Sequence, residues 1–102
     1  MKKDSELMDM AKEAMKSAYA PYSHFSVGAA VETDDGEVYC GCNIENSSYG
    51  ATICAERTAI SKTVSEEYRR ITRIAICNSN NSFAWTCGIC RQVMSEFAVE
   101  DF

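Results

Sequence analysis

Two cysteines three residues apart, Cys87 and Cys90 in WTCGICRQVM, and a third, Cys54, two residues before Glu56 in TICAERTAI, are the residues whose types and spacing can do chemistry. On a helix, residues three apart share a face, so Cys87 and Cys90 at a helix start can direct both sulfurs at one point. A metal ion, a redox dithiol and simple packing all remain open for a bare C-x-x-C. The stretch TICAERTAI discriminates, because it adds a third thiolate and a carboxylate. Residues two apart point about 200° away from each other on a regular helix. Cys54 and Glu56 can therefore address one site only where the cysteine lies at an irregular helix entrance, and Thr52 as N-cap places it there.

Helix N-termini that carry thiolates and face one another add positive dipole potential, which favours the thiolate and a bound metal. Zinc suits these ligands. Three protein ligands leave a fourth position open, as in a catalytic site, whereas a structural site closes with a fourth Cys or His. The one histidine, His24 in YSHF, reads as an ordinary exposed loop residue. Cys40, Cys42 and Cys77 fall in apolar stretches and read as small core residues, with a fourth ligand position as the alternative. An open site is expected. Zinc held by three thiolates carries net negative charge, and Arg57 and Arg91, each beside a motif residue, can balance it and donate to sulfur. A solvated helix face is the other reading of each arginine. A carboxylate that is not a ligand can take a proton from metal-activated water and hand it to a leaving group, and Glu56 fits that role.

The elements that must position these groups follow from periodicity. Leu7, Met10, Ala11, Ala14, Met15 and Ala18 recur at helical spacing from Ser5 to Tyr19, with Asp4 or Ser5 as cap and Pro21 as stop. FSVGAAVET (Phe25 to Thr33) and EVYCGCNI (Glu37 to Ile44) flank Asp34-Asp35-Gly36 and read as a β-hairpin. ENSSYGAT is a polar loop, ICAERTAISKTV a second helix, RITRIAICN a buried strand and CRQVMSEFA a third helix after the loop NSNNSFAWT. Strand, crossover helix and strand in that order predict a right-handed parallel unit. The reading is one α/β domain over residues 1–102, in the order α-β-β-α-β-α, with helices covering the sheet.

With 102 residues, 46% hydrophobic, the chain fits one compact domain with an adequate core, to which a metal or oligomerisation would add stability. A formal net charge of −5 argues against a surface built to neutralise phosphates, so a small-molecule or protein partner is expected and no nucleic acid. The N-terminal MKKDSE has charges of both signs and no apolar run follows it, which predicts no signal peptide, no membrane span and a cytoplasmic address. In that reducing compartment six cysteines favour metal or catalytic thiols over a disulfide framework.

C54-A-E56 with C87-G-I-C90 looks like the all-cysteine form of the zinc deaminase signature. More narrowly, APYSHFSVGAAV, GCNIENSSYGATICAERTAI and CGICRQVMSEFA resemble the small homotetrameric cytidine deaminases, through nearly the whole chain from Ala18 to Phe97. The resemblance implies a three-layer cytidine-deaminase-like sandwich and zinc on Cys54, Cys87 and Cys90. It implies Glu56 as proton shuttle and Arg57 as hydrogen-bond partner of the zinc thiolates. Asn43 and Glu45 of N-x-E would hold ribose hydroxyls, as a donor–acceptor amide and an acceptor carboxylate can. Phe25 would lie beside the pyrimidine ring, where stacking is favourable. Tyr49, in the loop from Ser47 to Gly50, would act across an interface of a homo-oligomer, a tetramer by resemblance. The implied reaction is hydrolytic attack at C4 of the cytosine of a free pyrimidine nucleoside, with Glu56 moving protons to N3 and to the departing amine.

The sequence departs from that family in two places. Thr86 stands where the family has proline before the first cysteine of C-x-x-C, with Trp85 in the small-residue position before it. Thr restores an N–H and relaxes φ, while Trp adds bulk at the edge of the pocket. Relatives also continue past the third helix with further strands, so a reduced sheet is expected here, its edge covered by another subunit. Alternative readings are a zinc-binding subunit with impaired catalysis, a deaminase of another aminopyrimidine nucleoside, and a metal-free dithiol oxidoreductase built on Cys87 and Cys90.

Overall fold

A computed structural model describes residues 3–79 and 88–97, the side chains of residues 49 and 88–90 excepted. The element order is α1 (Asp4–Met15), β1 (Val27–Thr33), β2 (Val38–Cys42), a 3-10 turn (Tyr49–Ala51), α2 (Ala55–Ser65), β3 (Ile71–Asn78) and α3 (Gly88–Phe97). The six expected elements are present in their expected order.

The sheet order is β2-β1-β3, and β1 runs antiparallel to both neighbours. β2 and β3 are thus parallel to each other, as the strand–helix–strand pattern predicts, but β1 lies between them. The hairpin claims one edge of β1 first, and the crossover through α2 delivers β3 to the other edge. The hairpin loop closes on Thr33, whose carbonyl accepts from Gly36 N and whose N–H donates to Glu37 O.

Alternation along β1 divides the core into two layers. Ala29 and Val31 pack with Ala55, Ala59, Ile60 and Ile71, and α3 adds Val93, Met94 and Phe97 to that cluster. Ala30 packs on the opposite side with Leu7, Ala11 and Ala75 under α1. Helices therefore cover both faces of the sheet, the three-layer arrangement expected. Cys40 and Cys77 pack against the α1 cluster, in keeping with their reading as small core residues. On the α1 face Glu32 is fully buried, and it survives there because Arg73 answers it with two hydrogen bonds, 2.9 Å and 2.8 Å long. Arg73 also reaches Asp4, tying the start of α1 to β3.

α1 stops at Met15, short of the expected Tyr19, because Tyr19 is recruited to pair with Ile44. Each face of the sheet carries its helix at a glycine. A Cβ on Gly28 would lie 2.0 Å from Ala11 O, and one on Gly41 would lie 2.4 Å from Ala59 N. The obstructing atoms are backbone, so a helix must shift as a body. Gly28→Ala and Gly41→Ala should each cost about 1–3 kcal/mol in urea unfolding, whereas Gly50→Ala, with nothing within 4 Å of its Cβ, should leave the midpoint in place. An unchanged midpoint in Gly28→Ala would contradict this packing.

Candidate active site

The entrance of α2 decides whether Cys54 and Glu56 can work together. Cys54, not Thr52, is the N-cap, with φ −74° and ψ 155°, and the helix proper begins at Ala55. Its carbonyl accepts the first helical bond from Thr58 N at 3.0 Å while its side chain leaves from extended backbone. The about 200° divergence of a regular helix thus does not apply to the pair. Thr52 instead stitches the preceding loop: its hydroxyl accepts from Asn46 N at 3.1 Å and its carbonyl accepts from Arg57 Nη2 at 3.0 Å. The same Nη2 lies 3.9 Å from Cys54 Sγ, so Arg57 points its donor at the thiol. Glu56, in the first turn, is buried at 5% exposure.

Backbone pairing brings a second segment alongside. Ile44 exchanges hydrogen bonds with Ile53 at 2.8 Å and 2.9 Å, and on its other side Tyr19 N donates to Asn43 O and Glu45 N to Tyr19 O. Asn43 and Glu45 are thereby fixed beside the residue that precedes Cys54. The buried Asn43 amide accepts from Val27 N at 2.9 Å and donates to Phe25 O at 2.8 Å, so half of its hydrogen-bonding capacity holds the entry to β1. β1 starts at Val27 instead of the expected Phe25, and the Phe25 carbonyl is taken by the Asn43 side chain. Phe25 is left half-buried just ahead of the sheet. Glu45 Oε1 accepts from Tyr22 N at 3.0 Å and Ser23 N at 3.1 Å, and Oε2 accepts from the Ser23 hydroxyl. Tyr22, Ser23, Glu45, Asn46, Ser47 and Thr52 line a groove of about 470 Å³, a volume in the usual range for small ligands.

The exposed His24 occupies the left-handed region, φ 58°, and turns the chain towards Phe25. Cys87 lies outside the described residues, as do Trp85 and Thr86, and the side chains of Cys90 and Tyr49 are likewise not described. α3 packs against α2, and the exposed Arg91 sits in its first turns. Among the described residues no group of three or more His, Cys, Asp and Glu could hold a metal. What Cys54 offers a soft cation is a half-buried thiol at a helix N-terminus, with a guanidinium donor to offset added negative charge, and this suits a zinc ligand. Ser23 and Thr52 were not singled out as site residues by sequence reasoning. P-Y-S-H-F signals a turn, but nothing local shows that its serine closes on a glutamate 22 residues away.

The profile of the cytidine and deoxycytidylate deaminase zinc-binding region matches residues 1–102. A cytidine deaminase of Sporosarcina psychrophila is 48% identical over 92 residues, which is 90% of this chain and 68% of the relative. A probable cytidine deaminase of Dictyostelium discoideum is 47% identical over 91 residues, 88% of this chain and 62% of the relative, so this chain spans about two thirds of their length. The crystal structure of a cytidine deaminase from Burkholderia pseudomallei superposes with a TM-score of 0.89 at 46% identity, covering 94% of this chain and 77% of that one. One from Mycobacterium tuberculosis gives 0.89 at 40% identity, over 98% and 82%.

Glu45 provides a test of the loop closure. The Ser23 hydroxyl, ahead of the Ser23 and Tyr22 N–H groups and the nearby His24, holds its carboxyl below the ordinary 4.5 against the opposing effect of burial. A depressed folded pKa means that the closure contributes fully above about 4.5 and is lost as pH falls through the lower folded value. Carbon-detected NMR titration should find the Glu45 midpoint below 4.5, with hydrogen-exchange protection of the Tyr22 and Ser23 amides falling in the same pH window. A midpoint at or above 4.5 would contradict the contacts.

Proposed function

Because the chain belongs to the cytidine and deoxycytidylate deaminase family, we propose that it is a zinc-dependent hydrolase that converts cytidine and deoxycytidine to uridine and deoxyuridine with release of ammonia. The observation that carries this reading is the extended Cys54 N-cap with Glu56 buried two residues on, joined through the Ile44–Ile53 pairing to the segment that holds Asn43 and Glu45.

Cys54, Cys87 and Cys90 would hold the zinc, which, when bound, supplies the Lewis acidity that brings a water proton within reach of a base at neutral pH. Glu56 takes that proton and delivers it to N3 as the new C4–O bond forms. It then takes the proton of the new C4 hydroxyl and passes it to the exocyclic amine as the C4–N4 bond breaks and the C4 carbonyl forms, and ammonia leaves. The burial of Glu56 supports this role, since a shuttle screened from bulk water exchanges its proton with the substrate. Arg57 donates towards Cys54 Sγ and offsets the charge of the thiolates. Phe25 stacks beside the pyrimidine. Asn43 and Glu45 receive the sugar: the Asn43 amide retains one N–H beyond its bonds to Phe25 and Val27, and Glu45 retains acceptor capacity on Oε2.

The working form is a cytoplasmic homo-oligomer, a tetramer, that serves pyrimidine salvage, with Tyr49 acting in a neighbouring subunit's site. Tyr19, Ile44 and Ile53 stand side by side through the Ile44 pairing and are exposed, as is Tyr22. An apolar patch of this kind next to the site supports a subunit contact. No helix among the described residues is long and apolar enough to cross a membrane.

Purified, zinc-replete chain mixed with cytidine should show the ultraviolet absorbance change of deamination. Glu56→Gln should retain one zinc per chain and lose about 10²–10⁴-fold in turnover. Appreciable turnover by that variant would remove Glu56 from the mechanism. A folded, zinc-loaded chain with no turnover of cytidine would point to a binding-only relative or to another amine substrate.

A further inference from the structure

Within the reading of Glu45 as the sugar-binding carboxylate, on which this inference rests, we propose that Ser23 is the positioning residue that aims that carboxylate and seats Phe25 at the same time. Three donors converge on Glu45 from the turn before β1: Tyr22 N at 3.0 Å and Ser23 N at 3.1 Å on Oε1, and the Ser23 hydroxyl on Oε2. The Ser23 oxygen in turn accepts from Phe25 N at 3.1 Å. The hydroxyl donates its single proton to Glu45 while a lone pair of the same oxygen accepts from Phe25.

A carboxylate offers about four lone-pair positions. Oε1 is filled by two backbone N–H groups, and one position of Oε2 is filled by Ser23. The remaining acceptor position on Oε2 is the one a sugar hydroxyl can reach, and its direction is fixed by where the Ser23 proton sits. The donors also keep the group ionised, so that it acts only as an acceptor. Ser23 and Glu45 both line the groove of about 470 Å³, which places this link in the wall that a nucleoside would meet. One side chain thereby couples the grip on the sugar to the position of the ring that stacks on the base.

The test compares Ser23→Ala, Ser23→Thr and Glu45→Gln in the full chain, by steady-state kinetics with cytidine and by calorimetry with the product uridine, which reads binding without turnover. Thermal unfolding of each variant shows that it is folded. Ser23→Ala should raise KM and the uridine Kd about tenfold, the loss of one charge-assisted hydrogen bond, with kcat changed less than about threefold. Ser23→Thr keeps the hydroxyl in an exposed position and should restore both constants. Glu45→Gln should weaken both at least as much as Ser23→Ala. If Glu45→Gln weakens them while Ser23→Ala does not, or if threonine fails to rescue, the role of Ser23 is overturned and that of Glu45 stands. If neither Ser23→Ala nor Glu45→Gln changes them, the reading of Glu45 falls and the Ser23 proposal with it.

Discussion

The pairing of Ile44 between Tyr19 and Ile53 is the interaction on which the site depends. These three residues belong to connections that lie outside the main sheet, and unpaired connections of this length would be free to separate. Backbone hydrogen bonds on both sides of Ile44 remove that freedom. Asn43 and Glu45 lie to either side of Ile44, and Cys54 follows Ile53, so a single paired position sets these side chains near one another. Four residues then lock the arrangement. Asn43 holds the entry to β1, Glu45 and Ser23 hold the turn before it, and Thr52 anchors both the loop and Arg57.

Cys54 shows how a helix terminus solves a problem the helix interior cannot. Two groups separated by two residues diverge on a helix, yet here the first leaves from extended backbone and the second from the first turn. The α2 axis is held by its own packing, with Ala55, Ala59 and Ile60 buried against β1 and the small Gly41 letting the helix lie close on β2. The core thus fixes the helix start and the helix start fixes the thiol. α3 joins the same core through Val93, Met94 and Phe97, which places that helix on the α2 side of the sheet.

The order of the elements was legible because each apolar stripe has its own period: Leu7 and Ala11 on α1, Ala55 and Ala59 on α2, alternation along β1. The types and spacing of Cys54 and Glu56 mark the entrance of α2, and that entrance is where the structure places them. What local pattern could not reveal were the long-range pairings. Tyr19 fits the helical period of α1 and leaves it for Ile44. Thr52 is a good capping residue, but its oxygens are taken by Asn46 and Arg57, and Cys54 caps in its place. β2 and β3 are parallel as expected, yet the sequence gives no sign that β1 separates them. The buried Glu32–Arg73 pair and the Ser23–Glu45 contact each span more than twenty residues, beyond the reach of any periodic signal.

In the proposed enzyme Cys54 leaves the chain at the α2 entrance to share one open zinc site with Cys87 and Cys90. X-ray absorption spectroscopy at the zinc edge of the metal-loaded chain tests it most directly. The account predicts three sulfur scatterers at about 2.3 Å and one lighter atom, with one sulfur lost in Cys54→Ser. Four sulfurs, which would require Cys40, Cys42 or Cys77 to close the site, or an unchanged sulfur shell in that variant, would contradict it.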